Sequence, residues 1–276
     1  MTLRFVVNCS ILFTERPILE RPAAARAAGF DAVEFWWPFP RAVPSDREID
    51  TFERAVREAG VDLIGLNFFA GDMAAGDRGI LSWPGRATEF RDNVDVAVGL
   101  GERLHIRVFN ALYGNRISAA DAQAQDELAA ENLGAAAAAA ARIGATVLVE
   151  AVSGADRYPL RTSADVGALL AHLDHLGVAD VGFLADLYHL AVNGDDVDDA
   201  IRTHRQRIAH VQIADSPGRG EPGSGELPLQ RWLDDLDHGD YQGFVGLEYV
   251  QTTPEPFGWL ARNSRWSREP TSRSDA

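Results

Sequence analysis

The stretch Thr146–Ala151, TVLVEA, decides the fold. Val147, Leu148 and Val149 make a short apolar run, rich in β-branched residues, and the run ends on one carboxylate, Glu150. A helix-like segment closing on Gly144 precedes it. Packing alone does not explain an apolar strand charged only at its end, because a buried carboxylate is costly unless it is paired or bound to a cation. The same design recurs downstream. VGFLAD ends on Asp186, HVQIAD carries Gln212 and Asp215, and FVGLEY carries Glu248.

Working outward, the chain alternates strand and helix patterns. Leu3–Asn8, Asp31–Trp36, Val61–Asn67 and Arg107–Leu112 read as strands one to four. Thr146–Glu150, Val181–Asp186, Ile208–Ile213 and Phe244–Tyr249 read as strands five to eight. Between them, Pro17 and Gly29 bracket a first helix, with Pro22 weakening its start. Ser45 with Glu48 predicts a capping box for a helix that stops at Gly60. Helices are expected at 86–104, at the alanine-rich 127–142, at 164–176 capped by Ser163, at 197–204 and at 229–236. Eight strand–helix units predict an α/β fold, a closed (β/α)8 TIM barrel over residues 1–261, followed by a polar, frayed tail at 262–276. A doubly wound open sheet is the alternative, and no GxGxxG follows the first strand to support it.

Composition narrows the function. The chain has 276 residues with a formal charge of −15, a balance that repels phosphate backbones and argues against nucleic-acid partners. The single cysteine, Cys9, forms no internal disulfide and fits a reducing compartment. The opening MTLRFVVNCS lacks the apolar core of a signal peptide, and no window approaches a membrane span. A cytoplasmic protein without membrane attachment is expected. Oligomeric state is open, a homo-oligomer included.

In a parallel barrel the C-terminal strand ends converge on one mouth, where active sites form. Glu150, Asp186, Gln212 and Glu248 sit at or near such ends on neighbouring strands. Carboxylates gathered at one point repel unless a cation lies among them, and oxygen donors suit Mg2+ or Mn2+. The bland alternative is a rim of salt bridges with helix N-termini.

These segments are familiar. VLVEA, ADLYH, AHVQIADSPGRGEPGSGEL and DYQGFVGLEY resemble the hydroxypyruvate isomerase family, among the xylose isomerase-like barrels. FTERP, FDAVEFWWPF, GDMAAGDRGILSWPGR and FNALYGNR extend the resemblance from about residue 4 to 261. The resemblance implies that Glu150, Asp186, Gln212 and Glu248 hold a divalent ion, Mg2+ or Mn2+, and that Glu150 and Glu248 are an acid–base pair. Related sugar epimerases usually carry His where Gln212 stands, which favours the isomerase branch. The implied reaction interconverts hydroxypyruvate and tartronate semialdehyde, small hydroxy/oxo acids, through an enediolate. A ketose 3-epimerase, a polyol dehydratase and a non-catalytic metabolite-binding barrel are the rivals.

Further residues join the candidate site. His189, in DLYH, is read as a substrate contact or as a residue orienting a ligand carboxylate; a Gln that the family often carries two positions later is Ala191 here. Arg219 and Arg116 are the candidate partners of a substrate carboxylate, each weighed against tying down its own loop. Asn110 ends strand four and is expected to line the mouth. Glu34 reads as a hydrogen-bonded structural residue and His210 as a satisfied core histidine one layer below Gln212. Trp36, Trp37 and Phe13 are weighed as pocket walls against plain packing. Asp72, Asp77 and Arg78, in the long loop after strand three, are weighed as lid contacts against solvated charges.

Overall fold

The polar strand ends are brought together by a ring of eight parallel strands. A computed structural model describes residues 3–262. The strands are β1 (Arg4–Asn8), β2 (Ala32–Phe35), β3 (Asp62–Asn67), β4 (Val108–Asn110), β5 (Thr146–Glu150), β6 (Val181–Asp186), β7 (Ile208–Ile213) and β8 (Phe244–Leu247). They pair in chain order, and β8 closes on β1 through Arg4 to Val7 beside Phe244 to Leu247. The closed barrel is the one the alternation predicts, and β4 and β8 are shorter than the sequence suggests.

The helices form the outer layer: α1 (Arg21–Ala27), α2 (Asp46–Ala59), α3 (Ala87–Leu104), α4 (Ala122–Ala141), α5 (Ser163–His175), α6 (Leu187–Val192), α7 (Val197–His204), α8 (Leu229–His238) and α9 (Gly258–Arg262). α2 carries the expected capping box between Ser45 and Glu48 and ends on Gly60, whose φ of 66° is left-handed. α5 differs: its cap is Thr162, which shares a capping box with Asp165, so Ser163 is the first helical residue. α4 begins five residues before its alanine-rich stretch, because the Asp121 side chain accepts from the Gln123 N–H and the residues between are good helix formers. Its alanines let the helix lie close against the barrel wall, with Ala129, Ala136 and Ala140 fully covered. α6 is not foreseen in the sequence. Of the polar, frayed tail expected at 262–276, Arg262 instead closes α9, and the remainder lies outside the described residues.

The main core packs the outer faces of the strands against the helices. A small separate cluster of Val6, Ala32 and Ile64, flanked by Val108 and Phe244, plugs the interior. Val6, Ala32, Val108 and Phe244 each lie two residues before an interior position nearer the mouth: Asn8, Glu34, Asn110 and Gly246. With a period of two, each such pair shares a face of its strand, so the barrel is apolar below and polar above. No helix among the described residues is long and apolar enough to cross a membrane.

Candidate active site

The polar layer holds more groups than the strand-end pattern named. Asn8, Glu34, Asn110, Glu150, Asp186, His189, His210, Gln212 and Glu248 are all buried. Register explains the convergence: Asp186 pairs with Gln212, and Gln212 with Gly246, so the β6, β7 and β8 ends lie level. Glu248 follows β8 directly.

Glu248 is held by one oxygen. Its Oε1 accepts from Trp36 Nε1 at 2.7 Å, Asn8 Nδ2 at 2.9 Å and Gln212 Nε2 at 3.2 Å. Its Oε2 meets the Arg219 guanidinium. Burial raises its pKa, Arg219 opposes the rise, and Asp186 adds to it. Glu150 is less supported. Asn110 Nδ2 donates to its Oε2 at 3.1 Å, while burial and the charges of Glu248 and Asp186 push its pKa well above the carboxylate range.

Asp186 works twice. Its Oδ1 caps α6, accepting from the N–H groups of Tyr188 and His189 at 2.9 and 3.1 Å. Its Oδ2 lies 3.6 Å from His189 Nε2. Burial raises its pKa to about 6, against the lowering influence of Arg219 and the two backbone donors.

His189 accepts at Nδ1 from the Ser153 N–H at 3.1 Å, with Ser153 Oγ 2.7 Å away. A backbone N–H only donates, so the neutral ring carries its proton on Nε2, facing Asp186. Burial, then repulsion from Arg219, lowers its pKa to about 3, which keeps the ring neutral.

A divalent cation fits this donor set. Ligand-type atoms of Asp186, His189 and Glu248 lie within 4.8 Å of one another. The protonated Nε2 has no lone pair for a cation, which leaves the carboxylate oxygens of Asp186 and Glu248 as the donors of this group, and oxygen donors suit a hard ion. Glu150, expected as one corner of the same set, is not in that group among the described residues. Its Oε2 accepts from Asn110 instead. Gln212 touches the cluster through its nitrogen, so its Oε1 is the atom left for a ligand.

The two arginines separate. Arg219 stands in the loop after β7 at a left-handed φ of 56°, with its Cζ 5.3 Å from the centre of the Tyr188 ring and its guanidinium on Glu248. That loop is pinned by buried Asp215, whose carboxylate accepts from the N–H groups of Ser216, Gly223 and Leu227. Arg116 instead pairs with Asp126 at 2.7 Å and donates to the Ala122 carbonyl, both on α4. Its described contacts are those of an arginine tying down its own loop, and none reaches Glu150, Asp186 or Glu248. The charges of the long loop also turn inward: Asp77 faces Arg86 at 3.5 Å, Asp72 accepts from the Ala75 N–H, and Arg78 holds the Met73 and Asp77 carbonyls.

Asn8 and Ser153 escaped the sequence reading. Asn8 ends β1 and obeys the same strand-end rule as Glu150, without a charge to mark it. Nothing in the sequence marks Ser153. Trp36 is more than a wall, since its indole N–H binds Glu248. Trp37 donates to the Arg41 carbonyl, and Phe13 packs on Phe257.

Comparison with known proteins places this site in context. The family model for xylose isomerase-like TIM barrels matches residues 22–269. A Streptomyces coelicolor protein provisionally named hydroxypyruvate isomerase is 48% identical over 273 residues, covering 96% of this chain and 98% of its own. The hydroxypyruvate isomerase of Escherichia coli is 32% identical, covering 92% of this chain and 96% of its own. The 2-oxo-tetronate isomerase of Cupriavidus necator is 33% identical, covering 93% and 97%.

Proposed function

Since the chain belongs to the xylose isomerase-like TIM barrels, and within them to the hydroxypyruvate isomerase family, we propose that it interconverts hydroxypyruvate and tartronate semialdehyde by moving a proton between adjacent carbons. The observation that carries the reading is the placing of Glu150 and Glu248. Each is a buried carboxyl at the end of its strand with its pKa raised, Glu150 by burial and the charge of Glu248, and Glu248 chiefly by burial. Groups with raised carboxyl pKa values suit proton transfer near neutral pH.

The residues divide the work. Arg219 offers a planar guanidinium for the substrate carboxylate. One glutamate removes a proton from C3 of hydroxypyruvate, giving the enediolate, and the opposite glutamate returns a proton to C2. The hydroxyl proton passes between the two oxygens. Glu248 is anchored by three donors on Oε1, which leaves Oε2, held by the Arg219 guanidinium alone, as its reactive oxygen once Arg219 turns to the substrate carboxylate. His189 holds an N–H ready for an oxygen that gains charge. Asp186, Glu248, Gln212 and Glu150 would hold the divalent ion, Mg2+ or Mn2+, which when bound stabilises negative charge on the substrate oxygens. Burial excludes water from the enediolate.

Similarity to the Cupriavidus enzyme supports a second substrate, a four-carbon 2-oxo acid carrying an adjacent hydroxyl, on the same residues. Incubating metal-loaded protein with hydroxypyruvate and detecting tartronate semialdehyde tests the primary reading. Turnover of the four-carbon acid alone would move the assignment to the second.

A further inference from the structure

Gln212 presents a problem that chemistry must solve. An amide looks the same from either end in shape, but only its oxygen can serve a cation, and a flipped amide would aim a positive N–H2 edge at it. The structure settles the orientation through a residue outside the reacting pair. Gln212 Nε2 donates to Glu34 Oε1 at 2.8 Å and to Glu248 Oε1 at 3.2 Å. Flipping the amide would press its oxygen against both carboxylate oxygens. Asn8 Nδ2 bridges the same two atoms, at 3.2 and 2.9 Å, so Glu34 and Glu248 are joined by two parallel amides. Asn8 is itself oriented, since its Oδ1 accepts from the Ser10 N–H at 3.0 Å.

Glu34 is fixed in turn from below. His210 Nε2 lies 2.7 Å from its Oε2. The barrel is hollowed to admit it: a Cβ on Gly246 would come within 2.5 Å of Glu34 Oε1, and one on Gly65 within 3.3 Å of Glu34 Cβ. A buried acid with both oxygens occupied and two facing glycines is built in place, yet it is not a member of the cluster formed by Asp186, His189 and Glu248. We propose that Glu34 is a positioning residue: it locks the Gln212 amide so that Oε1 faces the mouth and serves as a cation ligand. The inference rests on the divalent-cation reading above.

Mn2+ binding to purified full-length protein, followed by the loss of the free-ion EPR signal, tests this without recourse to turnover. Glu34→Met keeps the volume and removes the acceptor, and should weaken Mn2+ binding about 10- to 100-fold, the usual effect of removing a group that orients a ligand. Glu34→Gln, which can still turn an oxygen toward Gln212, should stay close to wild type. Adding Gln212→Glu to Glu34→Met should restore binding, because a carboxylate presents oxygen either way round. Should Glu34→Met fail to melt cooperatively, an all-polar pair carries the test: Gln212→Glu alone, repelled by Glu34, should bind more weakly than Glu34→Gln with Gln212→Glu. Unchanged affinity in Glu34→Met, or a loss that Gln212→Glu does not recover, overturns the inference. Wild-type protein that takes up no Mn2+ overturns the cation reading and the inference with it.

Discussion

The Ser153 backbone N–H points at His189 Nδ1 from 3.1 Å, and this one contact decides which side of the imidazole is a donor. A ring so held, buried and repelled by Arg219, stays unprotonated down to about pH 3. In the unfolded chain a histidine takes its proton near pH 6.5. Between those values the unfolded state binds a proton that the folded state refuses, so the His189 contribution to stability falls as pH drops from about 6.5 toward 3. The raised pKa values of Asp186, Glu150 and Glu248 act in the opposite direction, so the His189 share is read as a difference between proteins. In thermal melts in metal-free buffer, His189→Asn should lose less stability than the wild type as pH falls across that window; an identical pH dependence would contradict the buried, neutral ring.

Arg219 supplies the positive charge within the cluster. A charge-assisted hydrogen bond contributes about 1.5–3 kcal/mol, so Arg219→Met should reduce kcat/KM for an acid substrate by roughly 10- to 100-fold or more. Arg116→Met, which removes the Asp126 pair and the bond to the Ala122 carbonyl, should leave kcat/KM within a factor of about two. Steady-state kinetics on both variants separates the two arginines. Equal losses would return Arg116 to the site.

Asp215 holds the loop that carries Arg219 by accepting three backbone N–H bonds. Asp215→Ala orphans those donors at about 1–3 kcal/mol for each that water does not reach. The variant should lose a few kcal/mol in urea unfolding and show a raised KM through a loosened Arg219. A variant as stable as the wild type would mean that the loop is held by other contacts.

Metal removal offers a further test. Dialysis against a chelator should abolish isomerisation, and Mg2+ or Mn2+ should restore it while leaving the melting transition cooperative. Full activity in the stripped protein would remove the ion from the mechanism.

Much of the site was legible because barrel topology converts strand ends into neighbours. Glu150, Asp186 and Glu248 stood out as charges closing apolar runs, and Gln212 followed from the same pattern. The identical logic applies to Asn8 and Glu34, yet a neutral amide raises no alarm, and a charge inside the strand read at Asp31–Trp36 reads as structural. Their role depends on who faces them across the barrel, at sequence separations of 240 between Asn8 and Glu248 and 178 between Glu34 and Gln212. The choice between Arg116 and Arg219 was undecided for a related reason. Both follow strands in polar loops, and only the packing shows that Asp126 is waiting for one and Glu248 for the other. The cap of α5 moved by one residue because Thr162 and Ser163 are both good caps, and the Asp165 side chain selects the first.

The central claim is that Glu150 and Glu248 pass a proton between adjacent carbons. Its most direct test is proton NMR of hydroxypyruvate in D2O with metal-loaded protein, compared with Glu150→Gln and Glu248→Gln. The wild type should place deuterium on carbon as tartronate semialdehyde forms. Each variant should stay folded and lose turnover by several orders of magnitude. A variant that still isomerises hydroxypyruvate at near the wild-type rate would contradict the assignment of that glutamate, and with it the paired mechanism.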